Sequence, residues 1–150
     1  MKIEGSHKIS APRERVFAAL IDPAVLQKCI PGCEELERAD AENGEENKFN
    51  AKLSAGVGSI KAMFTATVTM KDIISPSHYR LEVEGKGQPG FLKGAGDLNL
   101  EEQGAATEIN YTGEVNVGGM LASVGQRMIQ GAAAMMATRF FAALESEAAK

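Results

Sequence analysis

Apolar residues recur along this chain with two periods, and the switches between them divide it into elements. Residues 2–9 alternate: Ile3, Gly5, His7 and Ile9 share one face, and Lys2, Glu4, Ser6 and Lys8 share the other. That period of two predicts a half-buried strand. The period then lengthens. Ser10-Ala11-Pro12 reads as a helix start, and Val16, Phe17, Leu20 and Ile21 form the apolar side of a short helix. Asp22-Pro23 opens a second short helix with Asp22 as its cap, and Pro31-Gly32 ends it.

Alternation returns after Cys33. A strand over 34–40 carries a charged outer face, and Glu42-Asn43-Gly44 reads as a turn. A strand over 48–55 places Phe49, Ala51, Leu53 and Ala55 on one face, and Gly56-Val57-Gly58 reads as a tight connection or bulge. The longest strand, 60–72, turns Ile60, Ala62, Phe64, Ala66, Val68 and Met70 one way and Lys61, Thr65, Thr67, Thr69 and Lys71 the other. After a turn at Ser75-Pro76, Tyr79, Leu81 and Val83 line the face of the next strand. Residues 85–90, with three glycines and a proline, read as a mobile rim loop. Strands over 92–101, with Leu98 inside it, and 107–117 follow, joined by a turn at Gln103-Gly104. In the last of them Ile109, Tyr111, Gly113, Val115 and Val117 share a face.

The period lengthens once more for 120–149, which reads as one long helix preceded by Gly118 and Gly119 and free of proline. Leu121, Val124, Met128, Ala132 and Met135 repeat every three or four residues as an apolar stripe. At about 1.5 Å per residue the helix would be roughly 45 Å long. Strands joined by short turns imply an antiparallel meander. The fold class is therefore α+β: a curved antiparallel sheet of about seven strands wrapped around a long C-terminal helix, with two short helices after the first strand. Residues 1–150 read as a single domain.

Composition narrows the function. The net charge of −4, with lysines and arginines scattered, argues against nucleic acid as a partner. No apolar run approaches the roughly 20 residues of a membrane span, and no signal peptide opens the chain. Cys29 and Cys33 are then expected as reduced thiols in the cytoplasm. Their four-residue spacing is not the CxxC of redox or zinc chemistry, so they read as thiols around a helix-ending turn.

Inward positions are unusually small: Ala51, Ala62, Ala66, Gly94, Gly96 and Gly113. Interiors pack to a density of about 0.74, so either the helix approaches closely or an apolar pocket remains. For the pocket, the expected walls are Phe49, Phe64, Val68, Tyr79, Leu81, Leu98, Tyr111, Leu121, Val124, Met128 and Met135. Methionine adapts to ligands of differing shape. His7, on the apolar face of the first strand, is the expected polar contact, and His78 falls on the outer face. Carboxylates fall on outer faces, and there is no GxSxG, no P-loop and no metal-ligand spacing. No catalytic residue, metal or cofactor is expected. An enzyme using one pocket residue, which could only be His7, is the alternative, and a fully packed structural adaptor is a third.

The segments "APRERVFAALIDPAVLQKCIPGCEEL", "VGSIKAMFTATV" and "GFLKGAGDLNL" resemble the G-subunit family of carbon monoxide dehydrogenase. The D-P-x-x-L-x-x-C-I-P-G-C-E core is the most specific part, and the resemblance covers nearly the whole chain. It implies the START-like helix-grip fold, shared with polyketide cyclases. It also implies a non-catalytic accessory protein of a molybdenum-containing dehydrogenase or hydroxylase, binding a quinone or lipid, with peripheral contact at the inner face of the membrane. Longer members carry a C-terminal extension, and this chain stops at Ala149-Lys150, so a stable anchor is not expected.

Overall fold

A computed structural model of the protein describes residues 1–39 and 47–149. The predicted turn at Glu42-Asn43-Gly44 and the Asp40 end of its strand lie outside the described residues. Strand β1 (Lys2–Ile9) is followed by helices α1 (Arg13–Leu20) and α2 (Pro23–Cys29). Six strands come next: β2 (Cys33–Arg38), β3 (Asn47–Val57), β4 (Ile60–Ile74), β5 (His78–Gly87), β6 (Gly90–Gln103) and β7 (Ala106–Gly118). A 3₁₀ segment (Gly119–Val124) then leads into helix α3 (Gln126–Ala148). The Asp22 carboxylate accepts from the Ala24 amide at 3.0 Å, which caps α2 as expected.

All seven strands form one antiparallel sheet in the order β1-β7-β6-β5-β4-β3-β2. Consecutive strands pair as hairpins, and β1 closes beside β7. Helix α3 packs on β1, at one edge, and on β3, beside the other edge, so the sheet curls around it. The alternation of apolar and polar residues places the strands' apolar face toward the helices.

Three expectations change. The C-terminal helix is not continuous, because Gly125 at φ 95° breaks it, a conformation side-chain-bearing residues rarely adopt. What remains, Gln126–Ala148, is about 35 Å long at 1.5 Å per residue. The break also resets the helix phase. The buried face carries Ala137, Phe141, Leu144 and Ala148, while Met128 and Met135 are 49% and 54% exposed. At about 100° per residue those two methionines point well away from that face. Lastly, residues 85–90 are not a loop. Gly85 to Gly87 belong to β5 and Gly90 opens β6, leaving Gln88 and Pro89 as a two-residue turn. A Cβ on Gly87 would lie 2.5 Å from the Met63 carbonyl, so glycine there serves close strand contact.

The core is concentrated at one end. Val16, Phe17 and Leu20 of α1 and Leu26 of α2 meet Phe141 and Leu144 of α3 over Phe49, Met70 and Ile109 of the sheet. Val16, Leu20, Phe49, Ile109 and Leu144 are fully excluded from water. Each such side chain contributes about 1.5–3 kcal/mol. Side-chain bonds tie α3 down at this end: the Ser10 amide donates to Glu145 at 3.2 Å, and Arg15 donates to the Ala148 carbonyl at 3.4 Å.

Candidate functional site

Away from that closed core, inner-face residues of the sheet are not fully buried. Inner-face positions Ile3, Val83, Leu92, Val115 and Val117 stay half-buried, as do Leu53, Val68 and Leu81 where they pack against that core. Opposite them, the first half of α3 offers Ile129, Ala132, Ala133 and Met136, also half-buried. A sheet face packed tightly on a helix would bury such residues fully. Phe64 and Leu121 are buried there, 6% and 4% exposed, yet neither joins the closed core.

Small inner residues do not share one cause. A Cβ on Gly96 would lie 2.7 Å from the Thr112 carbonyl, and one on Gly113 would lie 2.7 Å from the Ala95 carbonyl. Those two glycines face each other across β6 and β7 and permit close strand approach. Gly94 is different. A Cβ there would meet Glu114 O and Val115 Cγ2 at 3.4 Å, near ordinary contact, so the backbone approach does not demand glycine.

One wall between sheet and α3 is aromatic. His7 lies 4.5 Å from Phe141 and 6.0 Å from Tyr111 between ring centroids, and Tyr111 lies 5.9 Å from Phe141. Their planes differ by 7–26°, so the three rings present nearly parallel faces. Tyr111 reaches across to β1 over Gly5, where any side chain would collide with the phenol. Burial lowers the His7 pKa and raises that of Tyr111. At neutral pH the pair therefore offers a neutral imidazole, with one N–H and one acceptor nitrogen, and a phenol O–H. Neither finds a hydrogen-bond partner among the described residues, and neither has its polar atoms sealed from solvent.

The predicted wall residues divide accordingly. His7, Val68, Leu81, Tyr111 and Val124 are half-buried, and of these Val68, Leu81 and Tyr111 pack against the closed core; Phe64 and Leu121 are buried outside it. Phe49, Tyr79 and Leu98 belong to the closed core, where Tyr79 packs edge-on against Phe17 at 6.0 Å. Burial pushes the Tyr79 hydroxyl far up from its ordinary value. Met128 covers Gly58 at the β3–β4 turn, with its Sδ 3.9 Å from the position of a Cβ there. Phe141 and Gly5 were missed. Their signals were an aromatic pair, Phe140-Phe141, late in the helix and a glycine on the apolar face of β1.

Other chemistry lies elsewhere. His78 is half-buried on the outer face, with Nδ1 3.1 Å from Asn99 Oδ1 and Nε2 3.7 Å from Asp97. Cys29 is buried and Cys33 half-buried; burial raises both thiols, and the Cys33 thiol donates to Glu35 O at 3.4 Å. Two adjoining hollows of about 600 and 560 Å³ lie on the outer face of the sheet, among Asn50, Lys52, Thr65, Glu84 and Lys86. They are lined by charged side chains, with Lys52 on Glu35 at 3.6 Å and Lys93 on Glu84 at 3.5 Å. Among the described residues no group of three or more histidines, cysteines or carboxylates could hold a metal, and no helix is long and apolar enough to cross a membrane.

The family model for the carbon monoxide dehydrogenase G subunit (CoxG) matches residues 5–149. The chain belongs to the CoxG family. A conserved protein from Geobacillus kaustophilus, of solved structure, is 35% identical to this CoxG chain, with 99% of this chain and 95% of that one covered and a TM-score of 0.91. The fold extends further. The Zhui aromatase/cyclase from Streptomyces sp. R1128 aligns at 14% identity and TM-score 0.72, covering 99% of this chain and 93% of its own. A START superfamily protein from Mycobacterium smegmatis aligns at 13% and 0.71, covering 98% and 96%. This CoxG chain therefore has the START-like helix-grip fold. No curated protein matches it significantly.

Proposed function

We propose that this protein holds a hydrophobic molecule, a quinone or a lipid, between its sheet and α3. In that role it serves as a non-catalytic accessory protein of a molybdenum-containing hydroxylase, in peripheral contact with the inner face of the membrane. The observation that carries this reading is the half-buried apolar inner face beside a closed core, with His7 and Tyr111 finding no hydrogen-bond partner among the described residues. Apolar walls supply affinity through burial, at about 25 cal/mol per Å² removed from water. A flat conjugated headgroup stacks on the rings of His7, Tyr111 and Phe141. Its carbonyl oxygen accepts from the Tyr111 hydroxyl or the His7 N–H. Membership of the CoxG family supports the accessory role.

Organic extraction of the purified protein followed by mass spectrometry tests this. A co-purifying quinone or lipid is expected, as is titratable binding of a short-chain quinone that weakens several-fold in Tyr111→Phe. A ligand-free protein that binds neither class refutes it. The likeness to an aromatase/cyclase and the accessible neutral imidazole of His7 favour one rival, an enzyme with His7 as proton acceptor. Turnover of an aromatic or polyketide-like substrate that disappears in His7→Ala would decide for it.

A further inference from the structure

The 3₁₀ segment Gly119–Val124 stands between β7 and α3 at the end of the molecule away from the closed core. Glycines at positive φ flank it, Gly119 at 75° and Gly125 at 95°. Around Gly125 the space is empty: a Cβ there would meet nothing within 4 Å. The segment rests on the β5–β6 turn. Among the described residues, the one main-chain hydrogen bond that fastens it there runs from the Leu121 amide to the Pro89 carbonyl, at 2.8 Å. Leu121 is its plug, 4% exposed with its Cβ 3.3 Å from where a Cβ on Gly90 would sit. The Met120 side chain, next to it, is 61% exposed.

We infer that this segment is a lid. It swings about Gly119 and Gly125, lifts Leu121 off Pro89 and Gly90, and opens a passage into the space between sheet and α3. The inference rests on the reading of that space as a hydrophobic binding site. Its physical basis is an imbalance of restraints. Both ends of the segment are glycines, Gly125 in open space and Gly119 set close on Gly90, and among the described residues its hold on the sheet is one main-chain hydrogen bond, one leucine and that glycine contact. The strands it touches, β6 and β7, are by contrast tied together along their whole length. Helix α3 starts at Gly125 with no side-chain cap, so its first turn can yield without breaking a capping bond. The Ser123 hydroxyl donates to the Met120 carbonyl at 2.6 Å, inside the segment, which keeps the lid itself one unit as it moves.

Two measurements on the full chain test this. In native-state hydrogen exchange without ligand, the Leu121 amide should exchange at least about 100-fold faster than paired amides in the middle of β6 and β7. Equal protection would overturn the lid whatever the site binds. In stopped-flow binding of the fluorescent probe 8-anilinonaphthalene-1-sulfonate, Leu121→Ala should raise the association rate by about tenfold along with dissociation, whereas loss of a wall contact alone would raise dissociation only. Met120→Ala should change neither. A Leu121→Ala protein in which only dissociation accelerates would make Leu121 a plain wall residue and overturn the lid. A fast-exchanging Leu121 amide in a protein that binds no probe would leave the lid's motion intact and remove the binding site behind it, refuting its role as a gate.

Discussion

Replacing Gly94 by leucine separates an open interior from a filled one. Gly94 sits on the inner face of β6 between Val83 and Val115, half-buried. Its Cβ would meet two atoms at 3.4 Å and none closer, so the first carbon fits with a shift of a tenth or two of an ångström at most. Beyond it the leucine branches enter the space under α3. If that space is open, two gains follow. Removing a strand-interior glycine yields about 0.5–1 kcal/mol. Covering about 40 Å² of apolar surface at 25 cal/mol per Å² yields about 1 kcal/mol. The sum makes Gly94→Leu more stable by about 1–2 kcal/mol, while the side chain takes volume from any ligand and weakens probe binding at least about tenfold. If the interior is filled, overpacking costs about 1–3 kcal/mol and the sign reverses. Urea unfolding followed by circular dichroism gives the stability, and titration with a hydrophobic fluorophore gives the binding. A destabilisation above about 1 kcal/mol at unchanged m-value refutes the open interior. So does a stabilised variant that binds the fluorophore as before.

Two further outcomes follow from burial and charge. Leu144→Ala removes a fully buried side chain from the closed core and should cost about 2–5 kcal/mol in urea unfolding, whereas Met135→Ala, 54% exposed, should stay within about 0.5 kcal/mol. Equal costs would refute the helix phase described above. Because burial lowers the His7 pKa, the unfolded chain takes up its proton first as pH falls. The stability tied to neutral His7 is therefore present above about pH 6.5 and lost as pH drops from there through the folded pKa. Comparing unfolding at about pH 7.5 and about pH 5 should show a smaller loss in His7→Gln than in the unchanged protein; an identical loss would refute that contribution.

Much of the architecture was legible because it rests on local periods. Alternation from Ile60 to Met70, or from Ile109 to Val117, follows from the two-residue repeat of a strand whose one face is buried. Asp22 before Pro23 announced a helix start for the same local reason, a carboxylate able to meet a free amide. The long helix was legible as a helix but not in its phase. Its apolar residues surround it on most sides, so composition alone could not say whether Met128 and Met135 or Phe141 and Leu144 face the sheet. The backbone break at Gly125 and the docking of α1 and α2 decided that.

The site shows the same division. Small inner residues were visible from the chain, and so was His7 on the apolar face of β1. Whether a glycine marks space or its absence depends on a neighbouring strand, and the two cases, Gly94 and Gly96, stand two residues apart on β6. The placement of His7 beside Tyr111 and Phe141, from three elements separated by more than a hundred residues of chain between the first and the next, is a tertiary fact. The order and spacing of residues were enough to set most of the elements, the curved antiparallel sheet and the family. Contacts in three dimensions were needed to say where the closed core lies, which face of α3 it buries, and which polar groups find no partner among the described residues. Those depend on distances between segments remote in the chain, and no local period carries them.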